Sequence, residues 1–171
     1  MSTILFEIKD YTAFITLNRP DKLNSFNREM AFLLLEKLNE CAVSAEVRCI
    51  YITGAGKGFC AGQDLAEVVD PNGPGMQKIL SEHYNPIITL LRNIPKPVVA
   101  AVNGVAAGAG TNIALACDIV VAAQSAFFIK AFSKIGVIPN SGGIYHLPRL
   151  IGVQRASALM MLGDKVYSND A

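Results

Sequence analysis

The chain has 171 residues, of which 51% are hydrophobic and 17% charged, and a formal net charge of +1. That length supports one domain with a real core, and the apolar excess calls for extensive burial or subunit contacts. The near-neutral balance excludes a global field for nucleic acid or an anionic membrane, so an anionic ligand must be held by local groups.

The first ten residues read as a strand rather than a secretory leader. Ile4–Ile8 alternates apolar and polar residues, and a second strand, Tyr11–Leu17, follows a one-residue corner at Asp10. Asn18 to Asn24 carries turn chemistry. Ser25 or Asn27 can cap the next helix, whose apolar face is Met30, Leu33, Leu34, Leu38 and Cys41. Cys49–Thr53 reads as a short buried strand and Gly54–Gly62 as a glycine-rich loop. Asp64–Val69 has the length of one helical turn, and Asp70–Gly75 is a second loop. A long helix is predicted from Met76 to Asn93, with Ile79, Ile87, Ile88 and Leu91 inward, ended by Pro95 and Pro97.

Val98–Val102 is continuously apolar, the pattern of a strand buried on both faces. Asn103–Gly110 turns into a helix of small residues that ends near Cys117. Strands are predicted at Ile119–Ala122 and Ala126–Ile129, a turn at Pro139–Gly143, and helices through Leu150 and over Val153–Leu162. The alternation gives an α/β class. Tyr167 to Ala171 reads as a helix start, capped by Ser168 with Asp170 in the first turn, so the sequence is expected to continue into a further helical part.

Cys41, Cys49, Cys60 and Cys117 form no CxxC pair and no metal spacing. Reduced thiols in a cytoplasmic protein are the expectation, and no apolar run is long enough to span a bilayer. Gly54-Ala55-Gly56-Lys57-Gly58 fits neither a dinucleotide fingerprint nor a Walker A loop. No NAD, ATP hydrolysis or metal is therefore expected.

Four segments carry the chemistry: Asn18 to Ser25, Gly58 to Leu65, Pro97 to Gly110, and Ile138 to Gly143. In this order they resemble the crotonase (enoyl-CoA hydratase/isomerase) family throughout the chain. The last three are most similar to the ring-epoxide isomerases of phenylacetate catabolism within it. The resemblance implies a single core domain over 1–171, built as a β-β-α spiral with its C-terminal helices missing. It also implies an acyl-CoA substrate, coenzyme A entering only as part of that substrate, and a homotrimer or dimer of trimers.

An enolate of a thioester concentrates negative charge on one oxygen. Two N–H donors about 2.7–3.1 Å from that oxygen each stabilise the transition state by roughly 3–4 kcal/mol. Main-chain donors must come close to the ligand, which demands small side chains, and Cys60-Ala61-Gly62 and Ala106 to Gly110 supply them. The second run also opens a helix, whose first N–H groups and dipole favour an anion. By resemblance the donors are the N–H groups of Gln63 and Ala109. The adenine would lie against Lys22, Asn24, Ser25 and the backbone at Ala61, while Gln63, Asp64 and Leu65 line the pantetheine path. Lys22 and Arg19 are candidate phosphate partners.

Where family hydratases carry two glutamates, this chain has Asn112 and Phe132, neither able to shuttle a proton. Where the isomerase branch carries an aspartate, in the Ile-Pro-x-x-Gly-Gly turn, it has Asn140. Three readings stay open: a substitution made to trap ligand, a natural residue with another group taking the proton, or a protein that binds acyl-CoA without turning it over. The isomerase reading is preferred, with hydratase and non-catalytic binding subunit as alternatives. Phe127, Phe128, Phe132 and Ile138 are candidates for the acyl end of the pocket. Asp64 reads as a helix cap or loop brace, Cys60 as packing, Asp118 as structural, and His83 and His146 as core or surface residues.

Overall fold

The computed structural model describes residues 2–170. Among the described residues, nine strands form two sheets. The first is ordered β1-β2-β3-β5-β7 (Ile4–Lys9, Thr12–Leu17, Cys49–Gly54, Val98–Val102, Ile119–Ala122). The second is ordered β4-β6-β8-β9 (Gly58–Cys60, Val105–Ala107, Phe127–Ile129, Lys165–Tyr167). Both are parallel except for the hairpin β1–β2 and the pair β8–β9. The chain passes from β3 to β4, from β5 to β6 and from β7 to β8, each time crossing from the first sheet to the second. A helical excursion follows the first two of these crossings before the chain returns. This is the β-β-α spiral expected from the resemblance.

Alternation sets the core. Ala13, Ile15 and Leu17 of β2, and Ile50 and Ile52 of β3, are fully buried. Each large aliphatic contributes about 1.5–3 kcal/mol by leaving water. Helix α1 (Arg28–Val43) starts at Asn27, whose Oδ1 accepts from the Met30 N–H at 3.0 Å. It buries Met30, Ala31, Leu34, Leu38 and Cys41. Strand β5 is fully buried on one face only; Val99 and Ala101 keep partial exposure. The expectation of burial on both faces is thus corrected.

Other departures have physical causes. The β1–β2 corner takes two residues, because Asp10 and Tyr11 both adopt left-handed φ (48° and 61°) to reverse the chain. Strands β4 and β6 emerge where loops were expected. Each is only three residues, too short to show a period, and they exist because β4 pairs with β6 and β6 in turn with β8. Tyr167 belongs to β9 rather than to a helix start, pairing with Phe127; Ser168–Asp170 is a single 3-10 turn, and Ala171 lies outside the described residues. The long helix runs as α3 (Gly75–Lys78), a π-helical turn at Ile79–Tyr84, and α4 (Asn85–Asn93). The remaining helices are α2 (Leu65–Val69), α5 (Ala109–Ala116), α6 (Gly143–Ile151) and α7 (Val153–Leu162).

Helices α6 and α7 leave Ile144, Leu150, Val153, Met161 and Leu162 exposed. Among the described residues, no helix is long and apolar enough to cross a membrane.

Candidate active site

Adjacent parallel strands β4 and β6 end side by side, and each runs into a turn of small residues. After β4, Phe26 bridges to Gln63: the Phe26 N–H donates to the Gly62 carbonyl at 2.7 Å, and the Asp64 N–H donates to the Phe26 carbonyl at 2.8 Å. In an extended chain these two groups point one way, so the N–H of Gln63 itself points the other. After β6, Gly108 adopts φ 53°, ψ −120°, a conformation that L side chains rarely take, and turns the chain into α5 with Ala109 as its first residue. Among the described residues, neither the Gln63 N–H nor the Ala109 N–H has a protein acceptor.

Backbone contact holds the two turns together. A Cβ on Gly62 (φ +93°) would meet the Ala107 carbonyl oxygen at 2.9 Å and the Ala109 nitrogen at 3.4 Å. One on Gly110 would fall 2.2 Å from the Cys60 carbonyl oxygen. Glycine is therefore required for the first turn of α5 to sit on the end of β4. Cys60 packs beneath: burial pushes its thiol up to about 12, and its Sγ accepts from the Gly62 N–H at 3.4 Å. That thiol is inert at neutral pH.

Gln63, Ala109 and Asn140 line one cavity of about 60 Å³. The rest of its wall is Leu65, Val68, Met76, Leu80, Tyr84, Phe132, Ile135 and Val137. No carboxylate, histidine or lysine is among these lining residues. Of the four side chains expected at the acyl end, only Phe132 lines it. Phe127 stacks on Tyr167 with ring centroids 6.1 Å apart, Phe128 packs against the core, and Ile138 is 84% exposed. Met76, Leu80 and Tyr84 take their place. Their spacing of four is a helical stripe that the sequence shows.

Asn140 sits in a turn held from behind. Its carbonyl accepts from the Gly143 N–H at 2.9 Å and from Asn112 Nδ2 at 2.7 Å. Its side-chain Oδ1 accepts from the Ser141 hydroxyl at 2.7 Å. Ser141 (φ 51°) and Gly142 (φ 73°) are both left-handed, a tight path that fixes where the 140 side chain starts. Asn112 is fully buried, and Lys130 Nζ donates to its Oδ1.

Sequence reasoning missed Lys130, which lies 18 residues from its partner and whose only signal is a lysine closing an apolar strand. It is 3% exposed, and burial lowers it from its ordinary 10.5 to about 8. Its folded pKa lies below its unfolded one, so the folded state is penalised while the amine is charged. The penalty is full below pH 8 and is released as pH rises from 8 to 10.5. At 1.36 kcal/mol per pH unit this amounts to ~3 kcal/mol. Urea unfolding of wild type and Lys130→Met should therefore show wild type gaining on the variant by about that amount across this window; parallel pH curves would refute it.

The residues expected to meet the nucleotide gather on one side of the β4 turn. Lys22 is exposed on a 3-10 turn (Pro20–Lys22). Asn24 is fully buried and left-handed (φ 56°), and its Nδ2 donates to the carbonyls of Ala55 and Gly58. Its side chain is a brace for the loop. Ser25 is buried, and the Ala61 N–H donates to the Leu23 carbonyl at 2.9 Å. Asp64 caps α2 by accepting from the Ala66 N–H at 3.1 Å and pairs with Arg19 at 2.8 Å. Partial burial opposes its ionisation, but the guanidinium and the cap outweigh that and hold its carboxyl below the usual range. Arg19, expected as a phosphate partner, is instead taken up by Asp64 and the Ser25 carbonyl. Leu65 is exposed at the cavity mouth. Neither His83 nor His146 lines the cavity.

Residues 7–171 match the family model described as Enoyl-CoA hydratase/isomerase. The chain is 49% identical over 174 residues to a protein of Escherichia coli named 1,2-epoxyphenylacetyl-CoA isomerase, covering all of this chain and 66% of that one. It is 43% identical over 169 residues to a protein of Rhodobacter capsulatus named Probable enoyl-CoA hydratase, covering 99% of this chain and 65% of the relative. The crystal structure of an enoyl-CoA hydratase from Mycobacterium avium subsp. paratuberculosis superposes with a TM-score of 0.91 at 33% identity, covering all of this chain and 68% of the other. The chain thus spans about two thirds of the length of the relatives it matches.

Proposed function

Since this chain belongs to the enoyl-CoA hydratase/isomerase family, we propose that the full-length protein is an acyl-CoA isomerase that holds the thioester carbonyl between the amides of Gln63 and Ala109. The observation that carries this reading is the convergence of Gln63, Ala109 and Asn140 on one otherwise apolar cavity. With a 3-enoyl thioester, a proton leaves C2, the electrons move onto the carbonyl oxygen as a dienolate, and a proton returns at C4. The two amides stabilise the oxyanion in a site from which the apolar walls exclude water. Opening of a ring epoxide uses the same stabilised oxygen. The thioester's coenzyme A portion runs past Leu65 and Asp64 to Lys22, Asn24, Ser25 and Ala61, where main-chain groups and the lysine meet the nucleotide. No separate cofactor enters.

Water addition is disfavoured by the occupants of the two glutamate positions. Phe132 presents a ring to the cavity, and both polar ends of the Asn112 amide are engaged by Lys130 and the Asn140 carbonyl. The absence of a carboxylate among the lining residues favours one second reading, an acyl-CoA-binding subunit without turnover. The exposed apolar residues of α6 and α7 suit burial between subunits, in keeping with a homotrimer or a dimer of trimers.

Incubating the full-length protein with a 3-enoyl-CoA in D₂O separates these readings. Deuterium at C4 of the 2-enoyl product, and at the thioester α-carbon of substrate regenerated from the dienolate, is the expected result. Tight binding without any exchange would replace the isomerase with the binding subunit.

A further inference from the structure

Asn112 and Lys130 do not line the cavity, yet they join two of the elements that do. Helix α5 presents the Ala109 amide at its first position and carries Asn112 one turn on, where the Asn112 N–H donates to the Gly108 carbonyl at 3.3 Å. The Asn112 side chain is fully buried, and its Nδ2 donates to the Asn140 carbonyl at 2.7 Å. A Cβ on Gly143 would fall 2.6 Å from both polar atoms of that carboxamide, which therefore lies directly against the first residue of α6. One side chain thus ties the helix that bears the Ala109 amide to the turn that bears residue 140.

Lys130 fixes which way that carboxamide faces. An ammonium group only donates and the Asn140 carbonyl only accepts, so Oδ1 must meet the lysine and Nδ2 the turn. Lys130 is itself held in register with α5, because the carbonyl of the preceding residue, Ile129, accepts from the Gly108 N–H at 2.9 Å. Among the described residues, Asn112 Oδ1 is the hydrogen-bond acceptor of the Lys130 side chain, and no carboxylate pairs with it. A buried cation without a counter-charge is costly, and methionine would fill the same volume without that cost.

We propose that Lys130 and Asn112 are positioning residues, a strut that sets the 140 side chain at a fixed separation from the Ala109 amide. It rests on the isomerase reading above. The test is steady-state kinetics of the full-length protein on a 3-enoyl-CoA, with Tm measured alongside. The double variant Asn112→Leu/Lys130→Met leaves neither a buried charge nor an unpaired carboxamide, so its Tm should be at least that of wild type. Its kcat should nevertheless fall about 10–100-fold with KM unchanged, the cost of slightly misplacing a reacting group. Asn112→Asp keeps a partner for Lys130 but turns a carboxylate oxygen towards the Asn140 carbonyl, and should lose kcat to the same extent. Because Lys130 acts through Asn112, adding Lys130→Met to Asn112→Leu should change kcat by less than about twofold. The strut is overturned, with the isomerase left standing, by any of four results: full kcat in the double variant, full kcat in Asn112→Asp, a loss carried by KM, or losses of kcat that follow losses of Tm. Independent, multiplying effects of the two substitutions also overturn it. A wild type that neither isomerises nor exchanges any 3-enoyl-CoA defeats the isomerase reading itself, and the strut with it.

Discussion

Asn140→Asp should raise the rate of double-bond migration in the full-length protein by about 10²–10⁴, the usual worth of a positioned general base. The substitution is nearly isosteric, and the turn that receives it is already fixed. The Asn140 carbonyl is held by Asn112 and the Gly143 N–H, and the Ser141 hydroxyl is placed to donate to a carboxylate oxygen as it now does to the amide. Apolar neighbours such as Phe132, Ile135 and Val137 disfavour a carboxylate charge and so raise its basicity towards neutral pH. The new activity should rise with pH through the ionisation of that one group. Asn140→Ser keeps a polar side chain and should give no gain. An unchanged rate in the aspartate variant would remove position 140 from the reaction and send the search for a base elsewhere.

Ala109→Pro should lower turnover by about 10²–10³, the cost of losing one donor to the developing oxyanion. A main-chain donor is normally out of reach of mutagenesis, but this one sits at the first position of α5. Proline is at home there, because the N–H it lacks makes no bond within the helix. Gly108, lacking a Cβ, already holds a near mirror image of the extended conformation that a residue before proline needs. The fold should therefore survive, as an unchanged far-ultraviolet circular dichroism spectrum would show. Measured in the Asn140→Asp background, where rates are high, Ala109→Pro should lose activity while Ala109→Gly, which keeps the N–H, stays within about tenfold. Equal rates for proline and glycine would mean that the amide of residue 109 does not meet the substrate.

Sequence pattern revealed the fold wherever an element was long enough to show a period. Strands β1, β2, β3 and β5 each span five or six residues, and α1 announces itself through Met30, Leu34, Leu38 and Cys41. Strands β4 and β6 defeat that logic. Gly58-Phe59-Cys60 and Val105-Ala106-Ala107 have no alternation to detect and become strands only through pairing, the first with the second and the second also with β8. Yet those two strands bring the two amide turns together. The site was legible through its glycines, because main-chain chemistry leaves no side chain to recognise but does leave the need for small ones. Interactions across large separations were not legible. Arg19 finds Asp64 across 45 positions, and Lys130 finds Asn112 only because β8 and α5 lie together. The acyl wall was not legible either: Phe127 and Phe128 pack on Tyr167 and the core, and the cavity is lined instead by the plainer stripe of Met76, Leu80 and Tyr84.

That stripe belongs to the one excursion the chain makes between β4 and β5, which also supplies Leu65 and Val68 to the cavity. The Gln63 amide opens that same stretch and is pinned to Phe26, whereas the Ala109 amide and the 140 turn are anchored outside it, on α5 and through Asn112. Substitutions at Met76, Leu80 and Tyr84 would therefore recast one wall of the chamber while leaving the Ala109 amide and the 140 turn in place.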